Sequence, residues 1–202
     1  LAGTYNPNTG STSSTACGDA DAGYYVDSTL GSGQSTQTAC LAGTYNPNTG
    51  STSSSACGNA DAGYYVPTTG QSSQTACAAG TYQVDTGQDS CDAASVGYYV
   101  SSTGQSSQTA CLAGTYNPNT GSTSSTACGN ADAGYYVSLT GQSSQTACLE
   151  GTYQADTGED GCDDAEAGHY VDLTGQSSQT ACLAGTYPVS YTHLRAHETQ
   201  LH

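Results

Sequence analysis

The sequence predicts an all-β, small disulfide-rich fold, arranged as an elongated tandem array of short, irregular β-hairpin repeats with little hydrophobic core. Three observations lead to this prediction. A Gly-x-Tyr motif recurs eleven times, at intervals of 17 or 20 residues, and ten cysteines recur with a similar rhythm. The chain contains no Phe, Trp, Met or Ile, so it lacks the side chains from which one large core is built.

The repeat is clearest in the segment LAGTYNPNTGSTSSSAC, which occupies residues 41–57 and recurs with one Ser/Thr exchange at residues 1–17 and 112–128. Two versions of the repeat alternate. Two residues separate Cys40 from the anchor Gly43, whereas five separate Cys57 from Gly63. We therefore predict one array over residues 1–187, built from half-units of 17–20 residues that combine into a larger unit of about 34–40 residues.

Each half-unit is predicted to form one irregular β-hairpin. Thr, Tyr and Val favour strands, and Asn-Pro-Asn-Thr-Gly supplies a turn. The first strand is expected at Gly-Thr-Tyr and the second through the Ser/Thr run that ends at Cys, and the lack of a 3.6-residue apolar period argues against helices. The anchor Gly would allow a positive φ or a close backbone approach, while the Tyr ring would cover the neighbouring disulfide or the next anchor. The anchors assigned to this role are Gly43, Tyr45, Gly63, Tyr65, Gly114, Tyr116, Gly134 and Tyr136.

Residues 188–202 break the repeat. Tyr187 should be followed by Asn-Pro-Asn-Thr-Gly, but the chain continues Pro-Val-Ser-Tyr-Thr-His-Leu-Arg-Ala-His-Glu-Thr. Back-translated, this segment resembles a transposase-type sequencing adaptor, so we predict that it is a non-native, adaptor-derived tail. Because the chain starts in the middle of a repeat and contains no Met, we also expect residues 1–187 to be an internal fragment of a longer protein.

The charge distribution excludes several classes of partner. Residues 1–187 contain sixteen Asp and Glu residues and no Lys or Arg, because the only Arg of the chain is Arg195 in the tail. A surface without cations cannot neutralise phosphates, so we expect no binding of nucleic acid or of an anionic membrane surface. No run in this fragment approaches the roughly 18 apolar residues that a membrane span needs. Such a surface attracts cations and resists self-association.

The cysteines are predicted to form disulfides, which places the protein outside the reducing cytosol, extracellularly or on the cell surface. No two of them are close enough in sequence for a zinc-ribbon site. His169, the one histidine before the tail, replaces the first Tyr of a Tyr-Tyr pair and is expected to be an exposed ring on a strand, not the base of a nucleophilic Cys. The candidate cysteines are Cys40, Cys57, Cys77, Cys91, Cys111, Cys128, Cys148 and Cys162.

Each junction between hairpins has a single Cys, so disulfides can close only alternate hairpins. Either Cys40 bonds to Cys57, with equivalent bonds along the array, or Cys57 bonds to Cys77 in the same way. The residues alone do not decide between these two schemes, and they leave disulfides between chains open as a third.

Acidic residues at alternate positions before an anchor are weak calcium candidates. Asp19 and Asp21 space oxygen ligands at i and i+2, as calcium loops do. The further acidic ligands of such a loop are absent, so a solvated acidic strand is the alternative, and no other cofactor is predicted. Paired tyrosines such as Tyr64 and Tyr65 are suited to stacking on sugars, although packing in a core-poor repeat explains them as well.

The pattern Cys-x-Ala-Gly-Thr-Tyr, then Thr-Gly, then a second Cys 14 or 17 residues after the first, resembles the ephrin-receptor-like cysteine-rich repeats of the growth-factor-receptor and TNF-receptor-like group. The match covers residues 1–187 as a pattern. Members of that family carry Cys-x-x-Cys at the junction where this chain has a single Cys, which leaves alternate hairpins without a disulfide. The resemblance implies the first pairing scheme, namely Cys40–Cys57, Cys77–Cys91, Cys111–Cys128 and Cys148–Cys162.

These observations predict a fragment of a secreted or cell-surface repetitive protein that acts as a stalk, spacer or adhesin shaft. Near-identical repeats favour this function, because a site specialised for one ligand would differ between copies. The alternative, implied by the resemblance, is a receptor-like cysteine-rich module that binds an extracellular protein, a glycan or calcium. The sequence shows no nucleophile–base pair and no metal-ligand cluster, so we do not predict an enzyme.

Overall fold

The computed structural model describes residues 2–185, and the predicted adaptor-derived tail lies outside them. The described chain is all-β: ten antiparallel two-stranded hairpins follow one another, and no α-helix occurs within residues 2–185. The predicted class, a small disulfide-rich array of β-hairpins, is therefore confirmed. We number the hairpins 1 to 10, from β1–β2 to β19–β20. The strands are β1 (Thr4–Tyr5), β2 (Gly18–Asp19), β3 (Tyr24–Tyr25), β4 (Thr38–Ala39), β5 (Thr44–Tyr45), β6 (Gly58–Asn59), β7 (Tyr64–Tyr65), β8 (Thr75–Ala76), β9 (Thr81–Tyr82), β10 (Asp92–Ala93), β11 (Tyr98–Tyr99), β12 (Thr109–Ala110), β13 (Thr115–Tyr116), β14 (Gly129–Asn130), β15 (Tyr135–Tyr136), β16 (Thr146–Ala147), β17 (Thr152–Tyr153), β18 (Asp163–Asp164), β19 (His169–Tyr170) and β20 (Thr180–Ala181).

The described chain divides into two compact units. The first consists of residues 2–112, 116–129 and 140–144, and the second of residues 113–115, 130–139 and 145–185. Both units use the same hairpin and the same contacts between hairpins. The hydrogen bonds, disulfides and glycine contacts between hairpins each join residues of one unit.

A tight turn before each first strand requires the anchor glycine. In hairpin 4, the Tyr64 N–H donates to the Asp61 carbonyl oxygen across 2.9 Å, and Gly63 between them has a φ of +85°. A positive φ at the third position of a four-residue turn defines a type II turn, which strongly favours glycine. The anchor thus has the positive φ that the sequence predicts.

The second strand of the odd-numbered hairpins does not lie where the sequence predicts it. In hairpin 3 the Ser/Thr run forms a 3-10 turn at Ser54–Ala56, and the second strand is Gly58–Asn59, directly after Cys57. The Ser53 hydroxyl accepts from the Ser55 N–H across 3.0 Å and caps this turn. Ser and Thr side chains often bond to the nearby backbone in this way, and so compete with a strand ladder. Other 3-10 turns lie at Ser14–Ala16, Ser28–Leu30 and Ser125–Ala127.

Backbone hydrogen bonds join each of hairpins 1 to 8 to the next two. The N–H of the anchor Gly43 in hairpin 3 donates to the Val66 carbonyl oxygen of hairpin 4 across 2.8 Å, and the Val66 N–H donates to the Gln88 carbonyl oxygen of hairpin 5 across 3.0 Å. The Gly87 N–H of hairpin 5 reaches back to the Ala60 carbonyl oxygen at the end of hairpin 3, also across 2.8 Å. These bonds matter because an isolated two-stranded hairpin is at best marginally stable.

The buried residues form two rows of small side chains. Because these side chains bury less apolar area than Leu or Phe would, hydrogen bonds and disulfides must supply more of the stability. One row alternates Val with an amide, three residues after each anchor, at Val26, Asn46, Val66, Gln83, Val100, Asn117, Val137, Gln154 and Val171. The other alternates Ala with Cys at the end of each hairpin, at Ala20, Cys40, Ala60, Cys77, Ala94, Cys111, Ala131 and Cys148.

Candidate functional site

The most constrained site in the array is the contact between hairpins two apart, where the anchor glycine of one hairpin faces the turn glycine of the other. A Cβ added to Gly43 would overlap the carbonyl oxygen of Gly87, and Gly43 has a φ of +82°. Glycine is therefore required at the anchor for two reasons: it tolerates the positive φ, and it has no Cβ to overlap the facing carbonyl oxygen. The same contact joins Gly3 to Gly50, Gly23 to Gly70, Gly63 to Gly104, Gly80 to Gly121, Gly97 to Gly141, Gly114 to Gly158 and Gly134 to Gly175.

A side chain of the earlier hairpin covers the turn glycine in seven of these eight contacts, and Gly121 is the exception, with no described atom within 4 Å of its Cβ position. In even-numbered hairpins the covering side chain is the first Tyr of the Tyr-Tyr pair; the Tyr24 hydroxyl, for example, lies against Gly70. In odd-numbered hairpins the covering side chain belongs to the last residue of the second strand; the Asn59 amide, for example, lies against Gly87. The first Tyr of the pair therefore packs against a turn two hairpins further on. The anchor Tyr of the prediction is the second of the pair, and in hairpin 2 this residue, Tyr25, lies beside the Cys40–Cys57 disulfide.

Four disulfides close the loops of hairpins 3, 5, 7 and 9. Each ties the end of an even-numbered hairpin to the loop of the hairpin that follows, which is the scheme that the family resemblance implies. Cys17 and Cys182 are free thiols, and Cys17 is exposed. The bonds join Cys40 to Cys57, Cys77 to Cys91, Cys111 to Cys128 and Cys148 to Cys162, with Cα atoms 5.6–5.8 Å apart.

A buried asparagine that sequence reasoning missed connects hairpins 2 and 3. Asn46 is fully buried, and its Nδ2 donates to the Tyr24 carbonyl oxygen across 2.9 Å and to Ser51 Oγ across 2.8 Å. Its Oδ1 accepts from the Asn48 N–H across 3.1 Å. The available signal was its position, since Asn46 stands three residues after an anchor where even-numbered hairpins have Val. Asn117 makes the equivalent bonds to Tyr98, Ser122 and Asn119.

A reciprocal Gln–Asp pair fastens the end of hairpin 4 to the turn before it. Gln74 Oε1 accepts from the Asp61 N–H across 2.7 Å, and Gln74 Nε2 donates to Asp61 Oδ2 across 2.6 Å. Sequence reasoning missed this pair as well, because Asp and Gln are thirteen positions apart. The same two bonds join Asp21 to Gln37 and Asp132 to Gln145.

The weak calcium candidates Asp19 and Asp21 have protein neighbours of different kinds. The Asp19 side chain lies against Gly50 of hairpin 3, whereas the Asp21 carboxylate accepts from Gln37. Within residues 2–185, no group of three or more His, Cys, Asp or Glu side chains is arranged to hold a metal ion. The structure therefore places these two carboxylates in the contacts of the array and not in a metal-ligand cluster.

The burial of His169 differs from the prediction. It is half-buried on β19, where an exposed ring is expected, and its Nδ1 has no hydrogen-bond partner among the described residues. Hairpin 10 thereby has an imidazole at the position where hairpins 2, 4, 6 and 8 have a Tyr that covers a later turn.

A shallow cavity of about 270 Å³ lies over the Cys40–Cys57 disulfide. Tyr25, the second Tyr of its pair, contributes to the lining, and no charged residue does. The remaining lining residues are Thr38, Ala39, Leu41, Thr44 and Ser54. An aromatic ring beside several hydroxyls is a combination that suits a neutral ligand more than a charged one.

Comparison with known proteins finds no match: neither a protein-family model nor a curated protein is similar to the chain. No helix among the described residues has the length and apolar character of a membrane span. The four disulfides indicate that the chain folds in an oxidising environment.

Proposed function

We propose that this chain is part of a structural spacer, the stalk or adhesin shaft of a secreted or cell-surface protein. One observation carries the proposal: the contact between an anchor glycine and the turn glycine two hairpins later recurs eight times. Each step along the chain thus adds the same backbone contact. A repeat protein in which every unit contacts only near neighbours can be lengthened without redesign, and this property suits a spacer.

Charge and redox chemistry support the same function. Residues 1–187 carry acidic side chains without any Lys or Arg, and high net charge of one sign keeps neighbouring copies soluble and apart. The disulfides fit secretion, because such bonds persist outside the cytosol. Their pairing also supports the resemblance to ephrin-receptor-like repeats, which are parts of extracellular proteins.

The spacer function is tested by changing the length of the array in register. Residues 78–111 are deleted, so that Cys77 directly precedes Leu112. Cys77 then takes the position of Cys111 and forms the disulfide with Cys128. The array is displayed on a cell surface with an epitope at its free end, and binding of a large antibody and of a small single-domain antibody is compared. We expect the deletion to reduce binding of the large antibody only, since the epitope then lies nearer the surface.

The matched control replaces residues 78–111 by a Gly/Ser linker of equal length. Such a linker spans only about 30 Å on average, so it should not restore binding of the large antibody. Equal binding of the large antibody to all three arrays would contradict the spacer function.

The cavity beside Tyr25 supports a second candidate function, that of a binding module for a neutral glycan. Its uncharged lining would not repel such a ligand, whereas the acidic surface around it disfavours anions. Saturable binding of a neutral oligosaccharide that is lost in Tyr25→Ala and kept in Tyr5→Ala would favour this candidate over the spacer.

A further inference from the structure

We infer that the turn threonines of this array are acceptor sites for an O-linked N-acetylhexosamine, which a transferase attaches from a nucleotide-activated sugar. A turn threonine is the Thr that directly precedes the turn glycine of a hairpin. The inference goes beyond the proposed function and does not rest on it, since a binding module can carry such sugars as well as a spacer can. The turn threonines occur in nine of the ten hairpins, as Thr9, Thr49, Thr69, Thr86, Thr103, Thr120, Thr140, Thr157 and Thr174.

The hydroxyl groups of the turn threonines are free and accessible. All nine side chains are exposed, and none of their hydroxyls has a hydrogen-bond partner among the described residues. The first-strand threonines Thr44, Thr81 and Thr152 differ, because the hydroxyl of each donates across 2.8 Å to the carbonyl oxygen three residues earlier. A sugar can be attached only to an oxygen that reaches the sugar donor, so the turn threonines are the better acceptors.

The backbone of a turn threonine is accessible as well. Thr69 lies between strands β7 and β8, and it makes no backbone hydrogen bond within residues 2–185. The next residue fixes the turn, since the Gly70 N–H donates to the Cys40 carbonyl oxygen across 2.9 Å. Thr75 provides the contrast, because its side chain is exposed but it lies on β8 and pairs with Tyr65 of β7. A transferase can therefore bind the segment around Thr69 without separating paired strands.

Folding does not account for the constant Thr at this position. The Thr makes no side-chain bond, and Asn and Asp suit turns at least as well. What the turns share is an exposed hydroxyl, which indicates a role outside the fold. The residue before the Thr does vary between hairpins, as in Asn48, Thr68, Asp85, Ser102 and Leu139.

The composition around the turn threonines is that of a glycosylated chain. A chain rich in Ser and Thr with nearby Pro is typical of mucin-like stalks, whose sugars are attached to Ser and Thr hydroxyls. Pro lies two residues before three of the turn threonines, at Pro47, Pro67 and Pro118.

Charge ranks the acceptor sites. The leaving group of a nucleotide-activated sugar is an anionic nucleoside diphosphate, so a carboxylate beside the acceptor repels the sugar donor. Asp85 precedes Thr86 and Asp156 precedes Thr157, whereas the residue before Thr69 is uncharged. Thr86 and Thr157 should therefore be modified more slowly than Thr69.

The transfer balances without an oxidant or a reductant. The Thr69 Oγ1 attacks the anomeric carbon of the sugar and forms a C–O bond. The bond between that carbon and the diphosphate oxygen breaks, and the nucleoside diphosphate leaves with the electron pair. The hydroxyl proton passes to a base of the transferase, so this chain supplies only the acceptor hydroxyl.

The experiment uses the full chain, prepared without sugars in a bacterial periplasm, where disulfides form. The chain is incubated with UDP-N-acetylgalactosamine and a polypeptide N-acetylgalactosaminyltransferase, then digested with an Asp/Glu-directed protease. Digestion gives a fragment of residues 62–85 that contains Thr69, Thr75 and Thr81, and electron-based fragmentation in a mass spectrometer locates the sugar. We expect transfer to Thr69 to be at least about tenfold faster than to the other two, because strand pairing holds back Thr75 and the hydroxyl bond holds back Thr81.

Two controls separate the effect of the fold from the preference of the transferase for a sequence. In the full chain after reduction and alkylation of its cysteines, Thr81 should gain sugar at least about tenfold faster than in the folded chain, while the rate at Thr69 should change little. Thr69→Val should remove the sugar from residues 62–85 of the folded chain. Thr81→Val also replaces a hydroxyl by a methyl group, but should leave the amount of sugar unchanged.

Three results would overturn the inference. Equal transfer to Thr69 and Thr81 of the folded chain would show that the fold does not select the turns. A folded chain that takes no sugar on any turn threonine would show that the turns are not acceptors. If Thr81 stays unmodified in the alkylated chain, the sequence and not the fold selects Thr69.

Discussion

Gly43 lies directly against the carbonyl oxygen of Gly87, and the two backbones approach so closely that no Cβ fits between them. This contact joins hairpin 3 to hairpin 5. This contact is repeated along the chain. Close packing of the backbone and hydrogen bonds therefore supply part of the stability that large apolar side chains supply in other folds. This explains how a chain without Phe, Trp, Met or Ile forms a regular structure.

The first prediction concerns this contact. Gly43→Ala should lower the free energy of unfolding by more than about 3 kcal/mol, because it combines an unfavourable positive φ with a steric overlap. The matched control is Gly121→Ala, which has a φ of +68° and open space around its Cβ position, and should cost only about 1 kcal/mol. Urea unfolding followed by Tyr fluorescence measures both. Equal losses in the two variants would show that the backbone conformation alone requires glycine.

The second prediction concerns the buried amides. Asn46→Ala should cost about 2–3 kcal/mol, because it leaves the Tyr24 carbonyl oxygen without its donor and creates a small cavity. Asn6→Ala is the control, since Asn6 is not fully buried and its side chain bonds only within hairpin 1, to Ser11 and to the Asn8 N–H. It should cost less than about 1 kcal/mol. Thermal unfolding measures the stability of both variants. If Asn6→Ala lowers the free energy of unfolding as much as Asn46→Ala does, the bond between hairpins 2 and 3 has no special role.

The third prediction concerns the Gln–Asp pair. Gln74→Glu replaces the donor to Asp61 by a second carboxylate and should cost about 1–2 kcal/mol near neutral pH, through repulsion and the lost bond. The loss should shrink at high salt concentration, which screens the repulsion between exposed carboxylates, and urea unfolding at low and high salt measures it.

Gln108→Glu provides the control for this charge effect. Gln108 Oε1 accepts from the Ser95 N–H across 2.7 Å, and a serine stands where hairpin 4 has Asp61. The new carboxylate can still accept this bond, so the substitution should be nearly neutral at every salt concentration. Comparable, salt-independent losses in both variants would rule out carboxylate repulsion as the cause.

The fourth prediction concerns the disulfides. The double variant Cys40→Ser and Cys57→Ser should lose about 3 kcal/mol, the value expected for a loop of this length when the unfolded state is no longer constrained. Cys17→Ser, which removes an exposed free thiol, should leave the monomer's stability unchanged. Differential scanning calorimetry under non-reducing conditions compares the two. A stable double variant would mean that hydrogen bonds between hairpins suffice without the disulfide.

The fifth prediction concerns pH and Asp27, which caps the 3-10 turn Ser28–Leu30. Its carboxylate accepts from the Thr29 hydroxyl across 2.7 Å and from the Thr29 N–H across 2.9 Å. These bonds, the hydroxyl first, hold the pKa of Asp27 below its usual value. The carboxylate therefore stabilises the turn above the unfolded pKa, and this contribution is lost as the pH falls through the lowered folded pKa.

Thr29→Val tests the cause of this shift. The substitution removes the hydroxyl and keeps the N–H, so the pKa of Asp27, followed by NMR titration, should move back towards its usual value. A titration that is unchanged in Thr29→Val would assign the shift to the backbone bond instead.

The hairpins were predictable because their signals are local. Thr44–Tyr45 forms a first strand as its residue types suggest, and Gly43 has the positive φ that a turn before it requires. The predicted position of the second strand was wrong because Gly58–Asn59, which forms it, has little β-propensity. It forms because Tyr45 pairs with Gly58 across the hairpin, while the preceding Ser residues bond to their own backbone and form a 3-10 turn.

By itself the sequence determined the repeat period, the hairpin as the repeating unit and the glycine anchors, because these depend on residues close together in the chain. Only the tertiary structure decided that Cys40 bonds to Cys57, that Asn46 is buried and that Gly87 lies on Gly43. The physical reason is that these contacts depend on how the hairpins stack. Hairpins 1 to 8 each contact both the next hairpin and the one after it. A repeat period specifies the spacing of such contacts but not their partners.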